Sequence, residues 1–296
     1  MDFKVTVGLC IKHSGKRVLT ALDSISRQNY PHKAMKIVIV DEDEPNGVPP
    51  TLKNFFKKTD IKTSIVLVKN KGLGASRQIA IDNAEGDYIV WVDDDFVLKD
   101  DFVTKHVEFM EKNPLLAAAT ANETPIRTTF LSLFEVYLIT LSKMNTETVP
   151  LGGFEIFRLK AINQIGGFDL KIRGASEDQD ISIRLKNAGW KLAVNNAAEY
   201  YRRYRPATWK ALWSKNFWYG YGRHFLYHKH KNQASRWELF FPVAFWTGFK
   251  QSLKLYKINH EKKVFLLAPF YFFMNAAGFV GFFCADLDGY GHGIKS

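Results

Sequence analysis

Cysteine is scarce in this chain of 296 residues: Cys10 and Cys284 are the only two, each inside an apolar stretch and near opposite ends. That excludes a disulfide framework and a cysteine-based metal site. The start, Met1-Asp2-Phe3-Lys4, runs straight into a strand pattern without the basic start, apolar core and cleavage site of a secretory signal. The expectation is an amino-terminal region that stays in the cytoplasm. Internal repeats, low-complexity tracts and the dinucleotide and Walker fingerprints are also missing. Acidic residues run short in one place. Between Asn196 and Lys263 only Glu199, Glu238 and Glu261 oppose 14 Lys and Arg, so this stretch carries the whole net charge of +11. Such a patch suits nucleic acid or an anionic membrane surface.

Aromatic residues are abundant: 24 Phe, 12 Tyr and 7 Trp make up 15% of the chain. From Val5 to Thr120, short apolar runs alternate with helical patterns, the signature of a mostly parallel sheet covered by helices. Strands are expected at Val5 to Cys10, Met35 to Val40, Ser64 to Val68, Tyr88 to Val92 and Leu115 to Thr120. Helices are expected near Arg17 to Arg27, Thr51 to Lys57, Gly74 to Ala84 and Asp101 to Glu111. In such sheets ligands bind beyond the carboxyl ends of the strands. The residues there are acidic, Asp41-Glu42-Asp43 after the second strand and Asp93-Asp94-Asp95 after the fourth. Asp93 and Asp95 can divide a sugar hydroxyl and a divalent cation between them, and oxygen ligands suit Mg2+ or Mn2+. Asp41 is placed to accept from a nucleobase or ribose. Lys71 and Arg77, around Gly72 and Gly74 at a helix start, supply positive charge for a pyrophosphate.

Further along come Gly152-Gly153-Phe154, Ile165-Gly166-Gly167-Phe168-Asp169, Glu177-Asp178-Gln179-Asp180-Ile181 running to Arg184-Leu185, and Gly189-Trp190. Taken in this order with Val40-Asp41, Gly72 to Arg77 and Val92 to Asp95, these segments resemble the family 2 glycosyltransferases of the GT-A fold, from about Val5 to Gly222. The resemblance implies a Rossmann-like α/β domain that binds a nucleotide diphosphate sugar. It gives Asp41 and Arg77 to the base and diphosphate, and Asp93 and Asp95 to ribose and metal. It gives Asp178, oriented by Glu177, the role of general base in an inverting transfer, and Gly152, Gly153 and Trp190 the acceptor side. Relatives often add a histidine metal ligand after the last strand of the domain. Here the stretch is Tyr201-Arg202-Arg203-Tyr204-Arg205-Pro206, so either the cation is held by carboxylates, diphosphate and water alone, or an arginine, Arg202 or Arg203, replaces part of its charge toward the donor. The Gln-x-x-Arg-Trp motif of processive synthases is replaced by Lys215-Asn216-Phe217-Trp218, which favours single-sugar transfer. A general base points to a hydroxyl acceptor, since a phosphate acceptor is already an anion.

The helix candidate Phe130 to Leu141 reads as core. After Pro206, Trp and Tyr are threaded with Lys and Arg, followed by the apolar runs Trp237 to Phe249 and Val264 to Ala285. The second is long enough to span a bilayer, and the first suits an interfacial or re-entrant arm. The expected division is a GT-A catalytic domain over 1–205, a basic aromatic interfacial region over 206–236, and a membrane hairpin and tail over 237–296. Membrane lipids are therefore expected partners, with a lipid-linked saccharide or glycolipid as acceptor. Nucleic acid is not, because the acidic strand ends and the uncharged run do not suit it. Two alternatives stand beside the transferase: a non-catalytic membrane-bound member of the same fold, and a nucleotidyltransferase. The latter needs a glycine-rich loop after the first strand, where this chain has Lys12-His13-Ser14-Gly15.

Overall fold

The computed structural model describes residues 4–12, 17–42, 47–69, 72–124, 129–144, 152–172, 175–202, 208–231 and 241–290. The chain forms two compact units. One comprises Met1–Thr124, Val149–Lys171 and Glu177–Tyr204, and the other Pro125–Thr148, Ile172–Ser176 and Arg205–Ser296.

The first unit contains β1 (Val5–Ile11), β2 (Met35–Asp41), β3 (Lys62–Leu67), β4 (Tyr88–Trp91), β5 (Phe96–Leu98), β6 (Leu116–Thr124), β7 (Ile156–Arg158) and β8 (Lys191–Arg202). They form one sheet in the order β3-β2-β1-β4-β7-β6-β8-β5. The expectation of a mostly parallel sheet holds for β1 to β4, but β7 runs antiparallel to both β4 and β6, and β5 antiparallel to β8. β5 and β7 have three residues each, too few for a periodicity to reveal.

The central strands read as unbroken apolar runs because both faces are covered. Alternate side chains go to opposite cores. Ile37 and Ile39 of β2, with Tyr88 and Val90 of β4, pack under α1 (Arg17–Ser26), α2 (Pro50–Lys58) and α4 (Phe102–Lys112) through Leu22, Leu52 and Phe102. Val38, Val40, Ile89 and Trp91 face the other way. They meet Ala80 of α3 (Leu73–Asp82), Ile162 of α6 (Leu159–Gln164), and Ile181 and Leu185 of α7 (Glu177–Asn187). In α1, Val18, Ala21, Leu22 and Ile25 recur at helical spacing and all are buried. On this second face Gly8 leaves room for the Trp91 ring, since a Cβ there would lie 2.6 Å from Trp91 Cζ3.

The second unit contains α5 (Phe130–Met144), α8 (Trp209–Lys229), α9 (Phe241–Asn259) and α10 (Leu267–Leu287). The stretch Phe130 to Leu141 packs into the core of this unit from Leu131 onward, Phe130 itself being exposed. Leu131, Phe134 and Tyr137 pack with Leu212, Leu255, Leu267 and Phe270, and the Phe134 and Phe270 rings stack at 4.2 Å. The run Val264 to Ala285 is not one α-helix, since a 3-10 turn over Lys262–Leu266 precedes α10. Small residues let the helices close. A Cβ on Gly220 of α8 would lie 1.8 Å from the Gly278 carbonyl oxygen of α10, and one on Gly281 would lie 2.0 Å from that of Phe217.

Gly220→Ala is therefore expected to destabilise the protein. The substitution gains about 1 kcal/mol of helix propensity, but the added methyl meets a backbone carbonyl that cannot rotate away, and overpacking of that kind costs about 1–3 kcal/mol. A lowered melting temperature relative to wild type is the expected result; an unchanged or higher one refutes the close approach.

Candidate active site

The carboxyl edge of the sheet collects the polar residues because β1, β2 and β4 end there, antiparallel β7 begins there, and β6 and β8 end there. After β4, the Val92 amide donates to Gly8 O (3.0 Å) and the Phe96 amide to Asp93 O (3.1 Å). The chain thus turns through Asp93-Asp94-Asp95 directly into β5. Phe96 pairs with Arg202, the last residue of β8.

That pairing brings Arg202 onto the acidic turn. Its Nη1 lies 3.0 Å from Asp95 Oδ1 and 3.4 Å from Asp93 Oδ2, its Nε 3.8 Å from Glu123 Oε1, and the guanidinium sits 4.3 Å over the Phe96 ring. Burial pushes the Asp95 carboxyl up and Arg202 opposes it; burial likewise raises Asp94, opposed by Arg17, whose Nε is 3.9 Å away. Arg202 Nη1 thus occupies the point that both Asp93 and Asp95 reach. Carboxylate oxygens are the donor type that Mg2+ or Mn2+ takes, and Arg202 places a positive charge among them.

Arg77 of α3 forms the second charge centre. Its Nη1 donates to Glu177 Oε1 at 2.9 Å, its Nη2 lies 3.9 Å from Asp93 Oδ1, and its guanidinium lies 5.4 Å from the Trp91 ring centre. Glu177 is 4% exposed. Burial pushes its carboxyl up to about 7, with Arg77 pulling the other way. Arg77 thus ties α3, the end of β4 and the start of α7 together from a position 100 residues away in sequence.

Asp178 occupies the first turn of α7, where the helix dipole favours a carboxylate. Its Oδ2 accepts from the Gly153 amide at 2.9 Å and its Oδ1 from the Gln179 amide at 2.8 Å. Gly152 adopts φ +115°, and a Cβ there would fall 2.6 Å from Asp178 Oδ2. Gly152 and Gly153, expected on the acceptor side, are the cradle of the Asp178 carboxylate. Ser176, immediately before the motif, is held at φ +82°, a backbone state costly for a residue with a Cβ.

Other motif residues have structural partners. Arg184 donates to Asp180 Oδ2 (2.8 Å), Ile165 O (3.0 Å) and Gly167 O (2.6 Å), so the Gly-Gly loop is pinned to α7. A Cβ on Gly167 would strike Gln78 Oε1, which accepts from the Phe168 amide at 2.8 Å. Trp190 follows the far end of α7, where its amide donates to Leu185 O at 3.1 Å, on the order of 10 Å along the helix from Asp178 at 1.5 Å per residue. There its indole N–H donates to Gln164 Oε1 at 3.0 Å. It is not brought to the site with Gly152 and Gly153, because the helix that carries Asp178 carries Trp190 away. Asp41 is buried, 4% exposed, at the end of β2. Lys71, Arg203 and Asp43 lie outside the described residues.

Two carboxylates at this edge were not anticipated. Glu123 near the end of β6 could have been found by the acidic strand-end signal that found Asp93. Glu155, inside the apolar run Phe154-Glu155-Ile156-Phe157, accepts from the Ala121 amide at 2.7 Å, and burial pushes it up to about 7 despite that bond. The folded state therefore holds a proton on Glu155 that the unfolded state releases near pH 4.5. The stability contributed by the neutral form is full below pH 4.5 and is lost as pH rises to about 7, on the order of 3 kcal/mol. Glu155→Gln should match wild type at the acid end and exceed it progressively to neutrality in urea unfolding across that range; parallel profiles for the two proteins would show that Glu155 ionises freely.

Comparisons with known proteins find glycosyltransferases. The family model described as glycosyl transferase family 2 matches residues 6–166, and that of glycosyl transferase family group 2 matches residues 88–284. Among curated proteins, the poly(ribitol-phosphate) beta-N-acetylglucosaminyltransferase TarS of Staphylococcus aureus is 27% identical over 89 residues, 30% of this chain and 16% of its own. The poly-beta-1,6-N-acetyl-D-glucosamine synthase of Staphylococcus epidermidis is 24% identical over 227 residues, 73% of this chain and 53% of its own. The chain thus spans only part of these relatives. Among solved structures, the mannosyltransferase PcManGT of Pyrobaculum calidifontis in complex with GDP-Man and Mn2+ superposes with TM-score 0.63 at 18% identity, covering 94% of this chain and 74% of that one. S. aureus TarS 1-349 in complex with UDP gives 0.52 at 16% identity, covering 97% and 91%. With more than half of its residues matched by the family model, and with the mixed α/β sheet of these GT-A neighbours, the chain belongs to glycosyl transferase family 2.

Proposed function

We propose that the protein is an inverting, non-processive glycosyltransferase that moves a sugar from a nucleotide diphosphate donor to a hydroxyl acceptor at a membrane surface. The observation that carries this reading is Asp178: an acid side chain at a helix start, fixed by the Gly153 amide, beside the carboxylate-lined edge of the sheet. In the proposed step the acceptor oxygen attacks the anomeric carbon and its proton passes to Asp178. The carbon–oxygen bond to the diphosphate breaks on the opposite face, and the diphosphate leaves with the electron pair. Asp93 and Asp95 would hold Mn2+ or Mg2+, which when bound offsets the charge of the departing diphosphate. Arg202 adds fixed positive charge there, and Asp41 is assigned to the base or ribose. Arg77, through Glu177, orients the start of α7 and with it Asp178. Two of the similar solved structures are complexes with GDP-Man and with UDP, so both nucleotides belong in the donor screen.

Asp178→Asn keeps an oxygen to accept from the Gly153 amide but cannot take a proton. The variant should retain its melting temperature and its affinity for the donor nucleotide while turnover falls by roughly 10²–10⁴. Turnover within a few-fold of wild type, in a nucleotide-sugar panel read by released diphosphate, would reassign Asp178 to helix capping.

Membrane attachment rests on the second unit. Val243, Trp246, Phe249 and Leu253 of α9 form one exposed stripe, Phe272, Phe279, Val280 and Phe283 of α10 another, and Lys250, Lys254, Lys257, Lys262 and Lys263 are exposed beside them. The segment Lys262–Leu287 is long and apolar enough to cross a bilayer, with mean hydropathy 1.7. Yet α10 packs at its middle on α8, which carries Lys215 and Arg223 near the Gly220 crossing. Ions at that depth are costly in hydrocarbon, which favours a hairpin lying in the headgroup layer. A lipid-linked saccharide or glycolipid acceptor follows from that location. The full chain should float with anionic vesicles, and Trp246→Glu with Phe249→Glu should leave it in the soluble fraction; wild type that stays monodisperse without detergent and ignores vesicles contradicts the attachment.

A further inference from the structure

His224 and His228 stand four residues apart on α8, so their side chains share one helix face. Asp286, in the last turn of α10, reaches the same spot. His224 Nε2 lies 3.0 Å from Asp286 Oδ1 and 3.2 Å from His228 Nε2, and the three ligand atoms all fall within 4.8 Å of one another. A tetrahedral zinc site with bonds of 2.0–2.1 Å has ligand–ligand edges of about 3.3 Å, close to both short separations. A cation in that gap would face one ligand atom from each of the three groups. The rings are fixed for the purpose: His224 is fully buried with the Phe282 ring 4.7 Å away, and Tyr227 lies edge-on to His228 at 5.5 Å. Asp286 is half exposed, which leaves a path to solvent and room for a water as fourth ligand.

We propose that His224, His228 and Asp286 bind a divalent transition ion, zinc by the preference of two imidazole ligands beside one carboxylate, as a staple between the carboxyl-terminal turns of α8 and α10. It is separate from the carboxylates at the sheet edge and acts on the stability of the second unit rather than on donor chemistry. Two imidazoles select against Mg2+, so the two sites have different metal preferences.

The test uses the full chain without a histidine tag, stripped by chelator and titrated with Zn2+ alone. Wild type should retain about one equivalent through dialysis and melt roughly 5 °C higher at a hundredfold excess over Kd. Asp95→Asn should keep that shift, while His228→Gln and Asp286→Asn should lose it. Asp286→Asn alters a half-exposed side chain, so it keeps the comparison open if His228→Gln does not fold. Cobalt in place of zinc should give the intense visible bands of a tetrahedral ion in wild type. No retained zinc, an undiminished shift in Asp286→Asn, or only the weak bands of octahedral cobalt would each overturn the assignment.

Discussion

Charge compensation at the carboxyl edge of the sheet is the constraint on which the rest of the first unit depends. Asp93, Asp94, Asp95, Glu123 and Glu177 converge there, and left to themselves they would repel one another. Arg77 and Arg202, with side chains only 15% and 24% exposed, interleave with them, and Arg17 reaches Asp94. Each guanidinium serves more than one carboxylate and lies over an aromatic ring, Trp91 or Phe96. Burial costs these cations hydration, which neighbouring carboxylates offset only while all are in place. Removing either arginine would strand carboxylates on two elements at once, so the arrangement of β4, β8, α3 and α7 follows from how the charges are shared.

Backbone shape does the remaining work around Asp178. Gly152 makes room for its carboxylate, Gly153 donates to it, and Ser176 turns the chain at positive φ into α7. Arg184 and Gln78 pin the Gly166-Gly167 loop from two helices. These glycines and their partners explain why residues scattered between 78 and 184 behave as one support for a single side chain.

In the second unit the deciding term is the close approach of helices. Gly220, Gly278 and Gly281 bring α8 and α10 together, and Gly248 does the same for α9, where a Cβ would lie 2.8 Å from Ala268 Cα. Packing this tight buries one side of each helix and leaves the apolar stripes of α9 and α10 outside. It also aligns His224 and His228 with Asp286.

The sequence determined what short-range periodicity can encode. Apolar runs of the right length located β1 to β4 and β6, helical spacing located α1 to α5, and acidic residues directly after strands located Asp93 and Asp95. The Glu177-Asp178 pair was readable as the start of α7 because helix starts favour acids. Tertiary structure decided everything that needs a distant partner. β5 and β7 exist only because β8, β4 and β6 offer edges to pair with, and three residues carry no period of their own. Arg77 turned out to face Glu177, Gly152 to face Asp178, and Trp190 to leave the site, because those relations are fixed when the sheet and α7 assemble. The helix Phe130–Met144 packs with α8 to α10 although it interrupts the first unit in sequence. Local preference sets which elements form; which side chains meet is set by closing loops of tens of residues, and that information is spread over the whole chain.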